Sequence, residues 1–181
     1  MIVQRTNAQQ LRTLFFSLDR MKQAFTEESR IMTENCAKEF KLLLIQNIVN
    51  ETFSGAYDPL SKRYVEWKQK HGAYSGFWKQ WGDLVRAISI RQTPKGNVVE
   101  VNRGAMPSRS SSWTTSATLT PIWKYAFYNE MGYTPRQVGF MFRGQAARPV
   151  FKPSAEQYRI GFLDRRRRDA LNKIRSRWGN G

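Results

Sequence analysis

Apolar positions recur every three or four residues from residue 7 to residue 20, where Leu11, Leu14, Phe15 and Leu18 fall at helical spacing. A second helix is predicted over about 26–53. Thr26 suits its N-cap, and Glu27 and Glu28 suit the positive end of a helix dipole. Phe40, Leu44 and Ile48 repeat every four residues, and Leu43, Ile45 and Val49 widen that face. Such a helix would be roughly 40 Å long and would act as the spine of the fold. Ser54-Gly55 ends it, and residues 57–60 read as a turn. A short helix is predicted over 61–71, starting at Ser61 with Tyr64 and Trp67 on one side, before a loop at 72–76.

The pattern then changes. "LVRAISIR" at 84–91 and "NVVEVN" at 97–102 are β-rich and flank Pro94, Gly96 and Asn97, which predicts a hairpin. Residues 104–121 hold few large apolar side chains and many Ser and Thr, as expected of a long functional loop. "IWKYAFYNE" at 122–130 and "RQVGFMFRG" at 136–144 are further strand candidates. The last segment reads as a helix capped by Ser154, with Gln157 completing an S-x-x-Q capping box. Tyr158, Phe162, Leu171, Ile174 and Trp178 approximate one face of it, and Gly161 is a point of fraying or bending. Helices, then strands, then a helix give an α+β class: a small antiparallel sheet packed against a long N-terminal helix and a C-terminal helix. At 181 residues this is one domain, 1–181, with 1–20 as an N-terminal helical arm and 104–121 as a long loop.

Charge sharpens the picture. Residues 1–60 hold seven basic and seven acidic side chains, so the net +16 lies wholly in 61–181; residues 143–181 hold eleven basic and three acidic side chains. That asymmetry points to a polyanionic neighbour: nucleic acid, a membrane surface or an acidic protein ring. The single cysteine, Cys36, excludes an intramolecular disulfide and fits a reducing compartment. Apolar runs such as "LLLI" at 42–45 are too short to cross a bilayer, and no secretory leader is evident, so a soluble protein is expected.

Candidate chemistry is sparse. The sole histidine, His71, has only Glu66 and Asp58 nearby in sequence and reads as a helix-terminal surface residue. Cys36 reads as a small buried hydrophobe on the long helix. The serines at 110–112 lack a nucleophile elbow, and the glycines match neither phosphate-binding fingerprint. Catalysis, metal and cofactor are therefore not expected. "DRRRRD" at 164–169 puts Arg165, Arg166, Arg167 and Arg168 round one helical turn. They either bind phosphates in bidentate fashion or form a solvated face that pairs with Asp164, Asp169 or another subunit's acids. The six Trp and 13% aromatic content suit protein–protein contact as well as core packing.

One resemblance adds to this. Pro59-Leu60-Ser61 with Tyr64 and Trp67-Lys68, then Trp81-Gly82-Asp83-Leu84 with Ser89-Ile90, come first in order. Tyr125-Ala126 with Glu130-Met131-Gly132 follow, then Ala147-Arg148-Pro149-Val150-Phe151 before the last helix. Over about residues 25–175 this succession resembles the tail-completion, or virion morphogenesis, proteins of tailed bacteriophages. Trp81 stands where the family pattern has Thr, and Val150 is inserted before the aromatic residue. The resemblance implies a non-enzymatic virion protein of the neck or tail terminus, assembled in the host cytoplasm. It further implies a homohexameric ring that contacts neck and tail-tube proteins and surrounds packaged DNA, with no membrane partner. It marks Tyr125, Ala126, Glu130, Gly132, Arg148, Pro149 and Phe151 as motif positions, and the 104–121 and 133–148 loops as contact elements. The alternative is a basic nucleic-acid-binding module in which the 164–177 helix meets phosphates, although no zinc, RNP-type or helix-turn-helix signature supports it. A nuclease is a more distant third.

Overall fold

The computed structural model describes residues 8–60, 62–70, 72, 82–106, 121–132 and 146–179. His71, Trp81, Ser61, the serines at 110–112 and the strand expected at 136–144 lie outside them, as do the side chains of Trp67 and Trp178.

The two N-terminal helices expected from the pattern are one. α1 runs unbroken over Ala8–Asn50, 43 residues, about 64 Å at 1.5 Å per residue. Thr26 does not cap a helix start. Its hydroxyl donates back to the Lys22 carbonyl at 2.8 Å, the bond a threonine makes inside a helix. Straight-chain residues between 20 and 35 carry helix propensity across the supposed gap. The helix ends where Glu51 turns to φ 51, and a 3₁₀ turn, Ser54–Ala56, follows.

α2 (Lys62–Lys70) and the short α3 (Asp83–Ala87) come next. The hairpin is present with shifted bounds: β1 (Ile88–Thr93) and β2 (Gly96–Val101) pair antiparallel from Ile88↔Val101 to Thr93↔Gly96. Residues 84–87, expected as strand, form α3 because Leu84 and Ala87 bury together at helical spacing. Residues 122–130, also expected as strand, are helical: α4 is Ile122–Met131. Its buried positions, Ile122, Ala126 and Asn129, are spaced four and three apart, a helical period, and this outweighs the β-preference of its aromatic residues.

The C-terminal helix begins earlier than its expected cap. α5 (Phe151–Tyr158) passes through a π-helical turn, Arg159–Leu163, into α6 (Asp164–Gly179). The wider turn surrounds Gly161, the residue expected to bend the helix. Ser154 is fully buried inside α5, and Pro153 sits in the first turn, where a missing N–H costs nothing.

One core cluster joins these pieces: Leu44 and Ile48 of α1, Leu84 and Ala87 of α3, Ile88 of β1, Ile122 and Ala126 of α4, and Val150 before α5. The C-terminal half of α1 is thus the spine, with the hairpin on one side and α5–α6 on another. This is the expected α+β arrangement. Phe40 is only partly buried and packs on Tyr158, with ring centroids 5.8 Å apart, while Val49 is exposed. Cys36 is half-buried rather than buried, beside the Tyr158 hydroxyl. No described helix is long and apolar enough to cross a membrane.

Candidate interaction site

The motif residues at 125–132 and 148–151 meet around one carboxylate. Val150 precedes α5 and has no side-chain oxygen with which to cap it. Glu130, near the end of α4, does this from a distance of twenty residues in sequence. Its Oε2 accepts from the Val150 N–H at 2.7 Å and the Phe151 N–H at 3.0 Å, and its Oε1 accepts from the Lys152 N–H at 2.8 Å. Three of the donors that every helix start leaves unpaired are satisfied, and a negative charge sits at the positive end of the helix dipole.

The surrounding residues complete the clamp. The Arg148 N–H donates to the Asn129 carbonyl at 2.6 Å, and the Arg148 guanidinium reaches the Asp58 carbonyl at 3.3 Å. The Tyr57 hydroxyl donates to the Pro149 carbonyl. Burial, with the Glu130 charge adding to it, pushes the Tyr57 hydroxyl above its ordinary pKa. Tyr125 packs against the core, its carbonyl accepts from the Asn129 side chain at 2.9 Å, and Ala126 is buried beneath. Gly132 has φ 71, the left-handed region that favours glycine, which lets the chain leave α4 sharply. Glu130, Gly132, Arg148, Pro149 and Phe151 are thus gathered at the α4–α5 connection, with Tyr125 and Ala126 about a turn earlier on α4, packed in the core. Glu130, expected at the end of a strand, lies near the end of a helix.

This geometry has a consequence for the long segments. The described chain ends at Gly132 and resumes at 146–148, where Arg148 is bonded to Asn129, so the described residues on either side of 133–145 are tied to one helix end. At the other end of α4, the Ile122 N–H donates to the Ala105 carbonyl at 3.2 Å, which ties the described residues on either side of 107–120 together. One ten-residue helix carries the roots of both segments.

The arginine run divides. Arg166 turns inward: its guanidinium grips both oxygens of Glu39 on α1, with Nε–Oε2 at 3.1 Å. The Tyr158 hydroxyl donates to the same carboxylate at 3.0 Å. Arg166 first, then burial working in the opposite sense and the Tyr158 bond, leave the Glu39 carboxyl below its usual range. Burial, reinforced by Cys36 and Glu39, pushes the Tyr158 hydroxyl far up. Arg165, Arg167 and Arg168 are exposed. Arg165 lies 5.6 Å from the Phe162 ring centroid, and Arg167 is 3.6 Å from the exposed Asp164. Two further polar links tie the helices. Arg177 meets the buried Glu28 at 2.7 Å, and the Asn47 amide donates to Ser154 Oγ and Gln157 Oε1, both at 2.9 Å. The S-x-x-Q pair thus works jointly, on a partner helix and not on its own backbone.

Sequence reasoning missed the roles of Glu28, Glu39, Asn47 and Tyr57, since each acts over long sequence separation. The signal for Glu28 and Glu39 was present in the acids on a helical face opposite a basic C-terminal helix. Among the described residues no group of His, Cys, Asp or Glu is arranged to hold a metal, and no buried side-chain polar atom lacks a partner. An open trough of about 370 Å³ on α1 is lined by Asp19, Lys22, Gln23, Thr26 and Glu27. The cleft between α1 and α6, of about 30 Å³, has room for little more than a water. Comparison with known protein families, with curated proteins and with solved structures finds no match.

Proposed function

We propose that the chain is a structural subunit of the head–tail connection of a tailed bacteriophage, completing the tail as a homo-oligomeric ring. The observation that carries this reading is the clamp. Glu130, Arg148, Pro149 and Phe151 of the resemblance converge on one connection that ties the chain flanking 133–145 to the end of α4, and a separate bond from Ile122 to Ala105 ties the chain flanking 107–120 to its start. A ring subunit needs unlike lateral surfaces that meet at one closing rotation, and segments rooted on a rigid helix suit that task.

The basic outer face of α6 then meets acidic neighbours or lines a channel for DNA. The nucleic-acid-binding alternative would use the same exposed Arg165, Arg167 and Arg168. Complementation tests the proposal. A phage whose copy of the gene is disrupted accumulates filled heads and separate tails, and supplying this chain restores joined particles. Restoration by a variant with Glu130 replaced, at wild-type efficiency and with the clamp shown to be open, would count against it.

A further inference from the structure

The apolar stripe at the start of α1 keeps a heptad spacing. Leu11, Leu14, Leu18, Met21 and Phe25 alternate by three and four residues, and Glu28, Met32, Asn35 and Glu39 continue the same alternation. From residue 28 onward these positions face α6. Glu28 holds Arg177, Met32 and Asn35 border the cleft beside Ala170, and Glu39 holds Arg166. α6 is described as far as Gly179, with Arg177 against Glu28, so the described α1–α6 contact reaches the point where the stripe turns apolar. N-terminal to that point Leu11, Leu14, Leu18 and Phe25 are 41%, 54%, 46% and 56% exposed, and Met21 is partly buried. About 30 Å of helix carries a seam that is continuous with an existing helix–helix contact.

We propose that this arm is a self-association surface, on which the arms of two copies pack antiparallel and hold the free chain as a dimer. The seam is self-complementary in that sense. Placing Leu14 opposite Phe25 and Leu18 opposite Met21 gives four apolar layers by two-fold symmetry and brings Leu11 to Glu28, where each chain's own α6 takes over. The flanks agree as well. In an antiparallel pair like flanking positions face each other, so Phe15 meets Lys22 across one flank and Ser17 meets Ala24 across the other, with no like charges opposed. A parallel pair would instead bring both globular bodies to one end, against seams that α6 already covers. A closed two-fold pair cannot build a ring, so this dimer is separate from the ring contact and covers the apolar seam before assembly. An interface of two short arms falls at the weak end of specific contacts, so association depends on concentration.

Sedimentation of the full chain over a concentration series tests this, alone and with Leu14→Glu plus Leu18→Glu. The wild type is expected to dimerise. The double variant should associate more weakly by about tenfold or more, with the same thermal melt as the wild type at concentrations where both are monomeric, because both positions are exposed in the monomer. Oxidative trapping in a Cys36→Ser background reads the orientation: Leu18→Cys with Met21→Cys should cross-link copies, and Leu11→Cys alone should not. A chain that stays monomeric, its arm belonging to a different protein, would overturn the proposal. So would association untouched by the two glutamates, or efficient self-cross-linking of Leu11→Cys. None of these readouts depends on whether heads and tails join.

Discussion

Replacing Glu130 by alanine removes the acceptor for three backbone N–H groups at once. The Lys152 N–H is exposed and can turn to water, so its loss costs little. The Val150 and Phe151 N–H groups are partly buried, and Val150 itself is 1% exposed. A buried donor left without a partner costs about 1–3 kcal/mol, and the lost charge at a helix start adds a few tenths to one more. Allowing for partial rehydration, the expected destabilisation is about 2–4 kcal/mol. For a chain of this length that corresponds to a fall in Tm of roughly 5–15 °C. Glu130→Gln keeps the shape and one carbonyl oxygen, which can still accept from Val150 and Phe151, but turns an amide toward Lys152. It should lose about half as much. Urea melts followed by far-ultraviolet circular dichroism measure both values, and amide exchange locates the effect, with protection lost first at 150–152. A Glu130→Ala variant within about half a kcal/mol of wild type would refute the clamp as the source of this order. A glutamine variant less stable than the alanine variant would refute the hydrogen-bond reasoning.

Leu44 is fully buried in the core cluster, so Leu44→Ala should cost about 2–5 kcal/mol in the same melts, and a loss below half a kcal/mol would remove α1 from the core. Glu39 is held below its ordinary carboxyl pKa by Arg166, so its contribution is present above the ordinary value of 4.5 and disappears as the pH falls through the lowered one. Wild type and Glu39→Gln should therefore differ in stability at neutral pH and converge in acid; a gap that stays the same from neutral pH into strong acid would contradict the assignment. Arg167→Gln with Arg168→Gln should leave the fold intact, because both side chains are exposed, while reducing head–tail joining. Normal joining with a loss of salt-dependent DNA affinity would favour the nucleic-acid-binding alternative for this face. Arg166 is unsuited to that test, since its removal strands Glu39 at the α1–α6 contact.

The class of the fold was legible because long-period patterns dominate it. Leu44 and Ile48 announced the buried face of α1, and Pro94 with Gly96 announced the hairpin. Local chemistry misled where a residue served a distant partner. Thr26 with Glu27 and Glu28 looks like a helix start, yet Thr26 bonds back within α1 and Glu28 is retained for Arg177. Ser154 and Gln157 look like a capping box, yet both receive Asn47, while the cap itself comes from Glu130. The aromatic run at 123–128 suggested a strand because side chains that favour strands also suit a helix packed by its small Ala126. The structure brings the candidate positions Glu130, Arg148, Pro149 and Phe151 together. Their joint function as a clamp was invisible because it depends on which helix end meets which acid, a matter of tertiary placement. The arginine run could not be divided from sequence for the same reason: only packing on α1 singles out Arg166.

We propose that this chain closes the tail end of a virion as a ring. Electron micrographs of the purified protein mixed with phage tail tubes that lack their terminal ring test it most directly. The account predicts ring-shaped density seated at one end of each tube, absent when the protein is omitted, with the tubes then competent to join filled heads. Bare tube ends at saturating protein, with the protein instead coating added DNA, would contradict it.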